Sequence, residues 1–163
     1  MNRKGFTLIE LIAVLLILGL VVGVTVYSVS GVFTSAKDKA EDVFVETIKD
    51  ALEVYLSSDA KSLDFVGSGE TCRNINKTHG SRTMYRIRKN FNDVINSSYK
   101  PLTQNDLVNP ADKDKTCNSA SSVSFYVYRD QDYVYYYSVD MGDFGCLNHN
   151  VDVVSNLPEG YVC

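Results

Sequence analysis

From Phe6 to Val24 every position is apolar except Thr7 and Glu10, and the apolar character runs on with few interruptions to Val29. A stretch from Leu8 to Val29 is long enough to cross a bilayer as a helix, since about 20 residues suffice. After Ser35 the pattern becomes amphipathic. Ala40, Val43, Phe44, Ile48, Ala51, Leu52 and Tyr55 fall at the i, i+3, i+4, i+7 spacing of one helical face. Lys37, Asp38, Glu41, Asp42, Glu46, Lys49, Asp50 and Glu53 take the remaining faces, and no proline intervenes before Pro101. The pattern predicts one helix from about Thr7 to Leu56, roughly 75 Å at 1.5 Å per residue. That is well over twice a bilayer core, so its second half must stand outside any membrane and bury its apolar stripe.

Beyond the helix, "SDAKSLDFVGSGETC" has the Ser, Gly and Asp content of a loop. A second helix is expected over "SRTMYRIRKNFNDVINSSY", with Ser81 as N-cap and Met84, Ile87, Phe91, Val94 and Ile95 on one face. Pro101 and Pro110 bracket a connection. The clearest strand signal is "SSVSFYVYRDQDYVYYYSVD": Val123 to Arg129 and Tyr133 to Val139 are β-branched and aromatic runs joined by polar "DQD", as in a hairpin. A short strand is expected around Val151 to Val154. The fold class is therefore α+β, a long N-terminal helix packed by its second half against a small antiparallel sheet. Tyr126, Tyr128, Tyr133, Tyr135, Tyr136 and Tyr137 crowd the hairpin, and because alternate positions face opposite sides they cannot all reach the helix. Tyrosine suits half-buried strands; a sticky surface is the sharper alternative.

The formal charge of -4 over 163 residues offers no general case for nucleic-acid binding. Arg3 and Lys4 precede the apolar run and no basic residue follows until Lys37, so the positive-inside rule keeps the N-terminus cytoplasmic and sends the body outward. A secretory signal would end in small residues of the A-x-A kind, and Ser28, Val29, Ser30 is a poor version. Cys72, Cys117, Cys146 and Cys163 all lie in the exported part and lack C-x-x-C spacing, so two disulfides are expected rather than a metal site. Three connectivities are open. The favoured one joins Cys146 to Cys163, pinning the C-terminal loop, and leaves Cys72 with Cys117.

Glu10 is the anomaly. A carboxylate inside an apolar span is costly unless paired, and such residues usually have a partner. Together with the basic leader, Gly5 and Phe6, it completes "KGFTLIE", with Glu10 fifth counting from Phe6. This resembles the type III signal motif of type IV pilins and type II secretion pseudopilins, closely over about the first 30 residues and in outline over the rest. The resemblance implies cleavage between Gly5 and Phe6 by a prepilin peptidase and N-methylation of the new amine on Phe6. It implies a subunit that waits in the cell membrane, N-terminus cytoplasmic, until an assembly machine extracts it into an extracellular filament of like subunits. Residues 1–5 are then a leader peptide, 6–30 a transmembrane and assembly helix, and 31–163 the extracytoplasmic globular domain including the second half of the helix. In the family the glutamate at the place of Glu10 faces the terminal amine of a neighbour. The charge is attractive on independent grounds, since opposite charges in a low-dielectric setting attract far more strongly than in water. One departure stands out: Tyr27 occupies the place where many pilins carry a kinking proline, leaving Gly19, Gly23 and Gly31 as the soft points.

Arg73, Lys77, Arg82, Arg86, Arg88, Lys89 and Lys100 face a single acid, Asp93, between Arg73 and Lys100. Arg82, Arg86, Arg88 and Lys89 are candidate surface-binding residues for DNA or an anionic polymer, His79 and Tyr85 being able to stack. A solvated face, or a complement to a neighbour's acidic helix, is the plainer reading. His79 and His149 have no metal-like spacing, and no nucleophile elbow or phosphate loop occurs, so neither catalysis nor a cofactor is expected. Asp112 with Asp114, or Asp140 with Asp143, lacks the density of a calcium loop. The expected function is a structural subunit of a type IV pilus serving adhesion, motility or related surface roles. The alternatives are a pseudopilin of a secretion or DNA-uptake machine, and a single-span membrane-anchored binding protein that never assembles.

Overall fold

The structure, a computed structural model, describes residues 7–65, 69–74, 83–109, 111–112, 114–147 and 152–163. Helix α1 runs from Leu8 to Ser58, matching the predicted start and extending two residues past the predicted end. The chain divides into two compact units, Met1–Lys39 and Ala40–Cys163. In the first, every side chain described from Thr7 to Val24 and from Gly31 to Lys39 is exposed.

Within the second unit, α1 buries Phe44, Val45, Ile48, Ala51, Leu52, Tyr55 and Leu56. The stripe is rotated slightly from the expected one: Val43 is 65% exposed, while Glu41 is buried. Glu41 lies three and four residues before Phe44 and Val45, on the same face as both, so the core claims it despite its charge. The Asn109 side-chain amide donates to Glu41 Oε1 at 3.4 Å and to the Cys146 carbonyl at 2.7 Å.

The sheet has six strands. In chain order these are β1 (Glu70–Asn74), β2 (Thr83–Asn90), β3 (Ser124–Arg129), β4 (Tyr135–Asp140), β5 (Val153–Ser155) and β6 (Tyr161–Val162). All pairings are antiparallel, in the spatial order β5-β4-β3-β2-β1-β6. The hairpin signal holds: β3 and β4 pair with Val127 opposite Tyr137. Its loop is organised by buried Asp130, whose Oδ1 accepts from the backbone N–H of Asp132 (2.9 Å) and Val134 (2.8 Å). That wrap holds Tyr133 at φ 61, a left-handed conformation unfavourable for an aromatic residue.

The predicted second helix is wrong over most of its length. Residues Thr83–Asn90 form strand β2, and only Phe91–Ile95 is a short helix. Met84, Ile87, Phe91 and Val94 fit a helical period, but Tyr85-Arg86-Ile87-Arg88 also alternates with period two. The sheet makes use of the alternation: Tyr85 and Ile87 pack with the helix-facing core, while Met84 joins a cluster on the opposite side.

One face of the sheet is sealed by a row of aromatic rings: Phe44, Phe144, Phe91, Phe125 and Tyr55, with successive centroids 5.7, 5.1, 5.5 and 5.8 Å apart. All four contacts are edge-to-face, the arrangement the ring quadrupole favours. The row begins and ends on α1, three turns apart.

The other face carries a smaller cluster, in which Cys72, Met84 and Tyr128 are buried beneath Tyr126, Tyr136, Leu157 and Tyr161. Because β5 and β6 lie at opposite edges, residues 156–160 must cross the sheet, and Leu157 packs on the tyrosines as they do. The expected disulfide pairing is overturned: the bonds are Cys72–Cys163 and Cys117–Cys146. Once β6 pairs with β1, Arg73 opposite Val162, Cys163 comes beside Cys72. Cys146 meets Cys117 where the Asn118 N–H donates to the Phe144 carbonyl at 2.8 Å.

Candidate functional site

Two regions concentrate chemistry, and each belongs to one unit. In the first unit, α1 opens with Thr7 preceding Leu8. The Thr7 backbone N–H and its hydroxyl both donate to Glu10 Oε2, each at 2.8 Å, and Leu11 N–H donates to the Thr7 carbonyl at 3.3 Å. Thr7 is thus the N-cap and Glu10 the third helical residue, reaching back in the manner of a capping box. The sequence carries this cap as T-x-x-E, a local signal separate from the anomaly of a charge in an apolar run. The carboxylate therefore has a partner inside its own chain. Both of these hydrogen bonds fall on one oxygen, and an ionised carboxylate offers about four acceptor sites, so the group can serve a second donor at the same time.

Around it, the helix presents only hydrocarbon. Leu8 is 79% exposed and Leu16 69%, in a run that continues to Val24. Exposed apolar surface on this scale marks a contact with a membrane or a partner. Among the described residues no helix is long and apolar enough to cross a membrane. The described apolar side chains, Leu8 to Val24, rise about 26 Å at ~1.5 Å per residue, against a hydrocarbon core of about 30 Å. Gly5 and Phe6, expected at the processing site, lie outside the described residues, as do the side chains of residues 25–30, Tyr27 among them.

The second region is the outer side of the sheet in the Ala40–Cys163 unit. Of the candidate surface-binding residues, Arg82 lies outside the described residues. Arg86 forms an ion pair with Glu70 on the neighbouring strand and sits over the Tyr126 ring, 4.6 Å from its centroid. This hydrogen bond raises the Arg86 pKa further and keeps the guanidinium charged. Arg88, exposed, donates from Nη2 to Ser124 Oγ at 2.9 Å. Lys89 Nζ lies 3.7 Å from Asp93 Oδ2. Arg86 and Lys89 are thus matched by carboxylates, while Arg88 is bonded to a neutral hydroxyl. The alternation of β2 also sends Arg86 and Arg88 to one side and Lys89 to the other, a division that a helical reading could not foresee.

The hairpin tyrosines divide as the period requires. Tyr137 is buried toward α1, Tyr128 is buried on the far side, and Tyr133 at the loop is 69% exposed. Asp140 and Asp112 are used locally, accepting from the backbone N–H of Gly142 (2.8 Å) and Asp114 (3.2 Å) respectively. Among the described residues no group of three or more His, Cys, Asp or Glu could hold a metal ion. His79 and His149 lie outside the description.

Residues 1–26 match the prokaryotic N-terminal methylation motif. No curated protein and no solved structure matches the chain significantly. That motif is the class III signal of type IV pilins and pseudopilins, and the long helix with its antiparallel sheet is a pilin-like arrangement.

Proposed function

We propose that the chain is a structural subunit of a type IV pilus, held in the cell membrane by its N-terminal helix after cleavage before Phe6 and then assembled with like subunits into a surface filament. The observation that carries this reading is the coincidence, in one segment, of the methylation motif and an apolar helix with every described side chain turned outward. Such a helix needs a hydrophobic surrounding at every stage. Lipid supplies it first, and the helices of neighbouring subunits supply it later at little net hydrophobic cost, because lipid tails and leucine side chains are equally apolar.

Glu10 gives the exchange a direction. Cleavage would create an amine on Phe6, a cation that the uncut precursor lacks. A carboxylate already oriented by Thr7 has less freedom to lose when it meets that amine on a neighbour, and preorganisation of this kind favours association. The prepilin peptidase and the assembly machinery are the further partners this reading requires.

Two measurements test it. Glu10→Ala is expected to be processed normally and to appear in sheared surface filaments at a small fraction of the wild-type amount; an unchanged yield overturns the charge-pairing role. Immunolabelling in electron micrographs is expected along the length of filaments. Label confined to the envelope of cells that still process the chain would favour a pseudopilin instead.

A further inference from the structure

Arg88 lines two cavities on the Ala40–Cys163 unit. The smaller, about 210 Å³, is lined by Glu70, Arg86, Arg88 and Tyr126. The larger, about 540 Å³, runs past Arg88 and Lys89 to Asn90 and Asp93, with Ser121, Ser122 and Ser124 as its other wall. The larger is a polar groove, and Arg88 is the residue it shares with the smaller.

The walls are fixed by backbone. Arg88 pairs with Tyr126 and Asn90 with Ser124 across β2 and β3. The serine wall is a turn closed by the Ser122 N–H donating to the Ser119 carbonyl at 2.8 Å. Ser119 Oγ lies 2.9 and 3.1 Å from the hydroxyls of Ser121 and Ser122. Phe91, at the start of the short helix, donates its N–H to the Val123 carbonyl at 3.0 Å, tying the two sides together. The serine hydroxyls are therefore held by one another, and the backbone that carries Asn90 and Asp93 is fixed beside them.

Charge decides what kind of ligand fits. Among the described residues, the two linings hold three cations, Arg86, Arg88 and Lys89, against two carboxylates, Glu70 and Asp93. Arg86 is matched to Glu70 and Lys89 to Asp93, so the excess is one positive charge, carried by an exposed guanidinium with a five-donor fork. A nucleic-acid strand calls for several uncompensated cations along its phosphates and for an open aromatic face on which bases stack. Here the Tyr126 face is already covered by Arg86. The complement of this groove is a ligand with a single, well-spaced anionic group surrounded by hydroxyls.

We propose that the groove binds an acidic saccharide, a chain of sugars bearing carboxylates. Arg88 holds one carboxylate through its fork, a geometry suited to bidentate pairing. Asp93 accepts from sugar hydroxyls, and the Asn90 amide and the serine hydroxyls complete the contacts. The assignment concerns the folded unit alone and does not depend on whether the chain polymerises.

The test uses the full chain in detergent micelles and measures binding by calorimetry, with hexagalacturonate as the acidic probe. Its methyl ester serves as the neutral control and oligothymidylate as the nucleic-acid control. Saturable binding of hexagalacturonate is expected, at least about tenfold weaker for the methyl ester and for Arg88→Ala, the scale of losing one charge-assisted pair. Arg88→Lys, which keeps the charge and loses the fork, is expected to fall between. Failure of hexagalacturonate to bind, binding indifferent to Arg88→Ala in a variant with unchanged circular dichroism, or equal affinity for oligothymidylate would each overturn the proposal.

Discussion

Tyr55 shows how one side chain links the core to solution conditions. It is 3% exposed, and its ring meets Phe125 edge-on at 5.8 Å. Burial, reinforced by the negative charges of Asp93 and Asp59, pushes its phenol from the ordinary 10 up to about 12. The fold therefore favours the neutral form. For a group raised in this way, the contribution to stability is complete below the unfolded value and is lost as pH rises from about 10 towards about 12. Tyr137 shifts in the same direction, through burial first and then Glu53, Glu46 and Asp50. Tyr55→Phe keeps the ring contact and removes the ionisable group. The variant is expected to lose less stability than the wild type between pH 9 and roughly 11.5, read from the denaturant midpoint of each. Parallel losses in both would show that the Tyr55 phenol is not the linked group. Asp59 works at the opposite end of the scale: hydrogen bonds from Ser58 and Ser98 hold its carboxyl below the usual range, so the tie between the end of α1 and the segment at Ser98 weakens as pH falls.

Among the elements, the long helix and the hairpin could be read directly, because each has a period that no alternative structure shares. The stripe of Ile48, Leu52 and Tyr55 has no strand interpretation, and the run Phe125 to Arg129 has no helical one. The failure fell on Thr83–Asn90, where both periods are present and only pairing with β3 decides. The disulfides failed for a related reason. Sequence places Cys146 and Cys163 near each other along the chain, but the strand order sends the C-terminus across the sheet to the far edge, beside Cys72. That crossing makes a strap of residues 156–163, fastened by Leu157 on the tyrosine cluster, by Asn156 Oδ1 accepting from the Tyr137 N–H at 2.7 Å, and by the terminal disulfide. With its cysteines 91 positions apart in sequence against 29 for the other bridge, the chain-entropy account assigns it about 4.6 kcal/mol and the shorter one about 3.6. The double variant C72S/C163S is expected to lose stability on that order. In hydrogen exchange, residues 156–163 are expected to lose protection first, while the buried half of α1 keeps its own. Retained protection of the strap would show that Leu157 and Tyr161 suffice to hold it.

For the molecule as a whole, the two units differ in what makes them legible. The Ala40–Cys163 unit depends on long-range pairing, so its groove at Arg88 draws on residues from β2, β3 and the turn at Ser121 that nothing in the sequence brings together. The first unit depends on a short contiguous segment, so the role proposed for it rests on Gly5, Phe6 and Glu10 alone. That role makes an unambiguous demand on covalent structure. If Glu10 is to meet a cation, the cation must be made, since Arg3 and Lys4 would stay on the cytoplasmic side and no other base precedes Lys37. Cutting between Gly5 and Phe6 removes both leader charges and leaves one amine, five positions from Glu10 when Phe6 is counted as the first. Methylation keeps that amine basic, so the charge persists for pairing. Mass spectrometry of the protein isolated from its natural host is expected to find a chain beginning at Phe6 and carrying one added methyl group. An intact Met1, or a cut beyond Ser28, would mean that the helix serves as an ordinary anchor or export signal, and the pairing partner assigned to Glu10 would not exist.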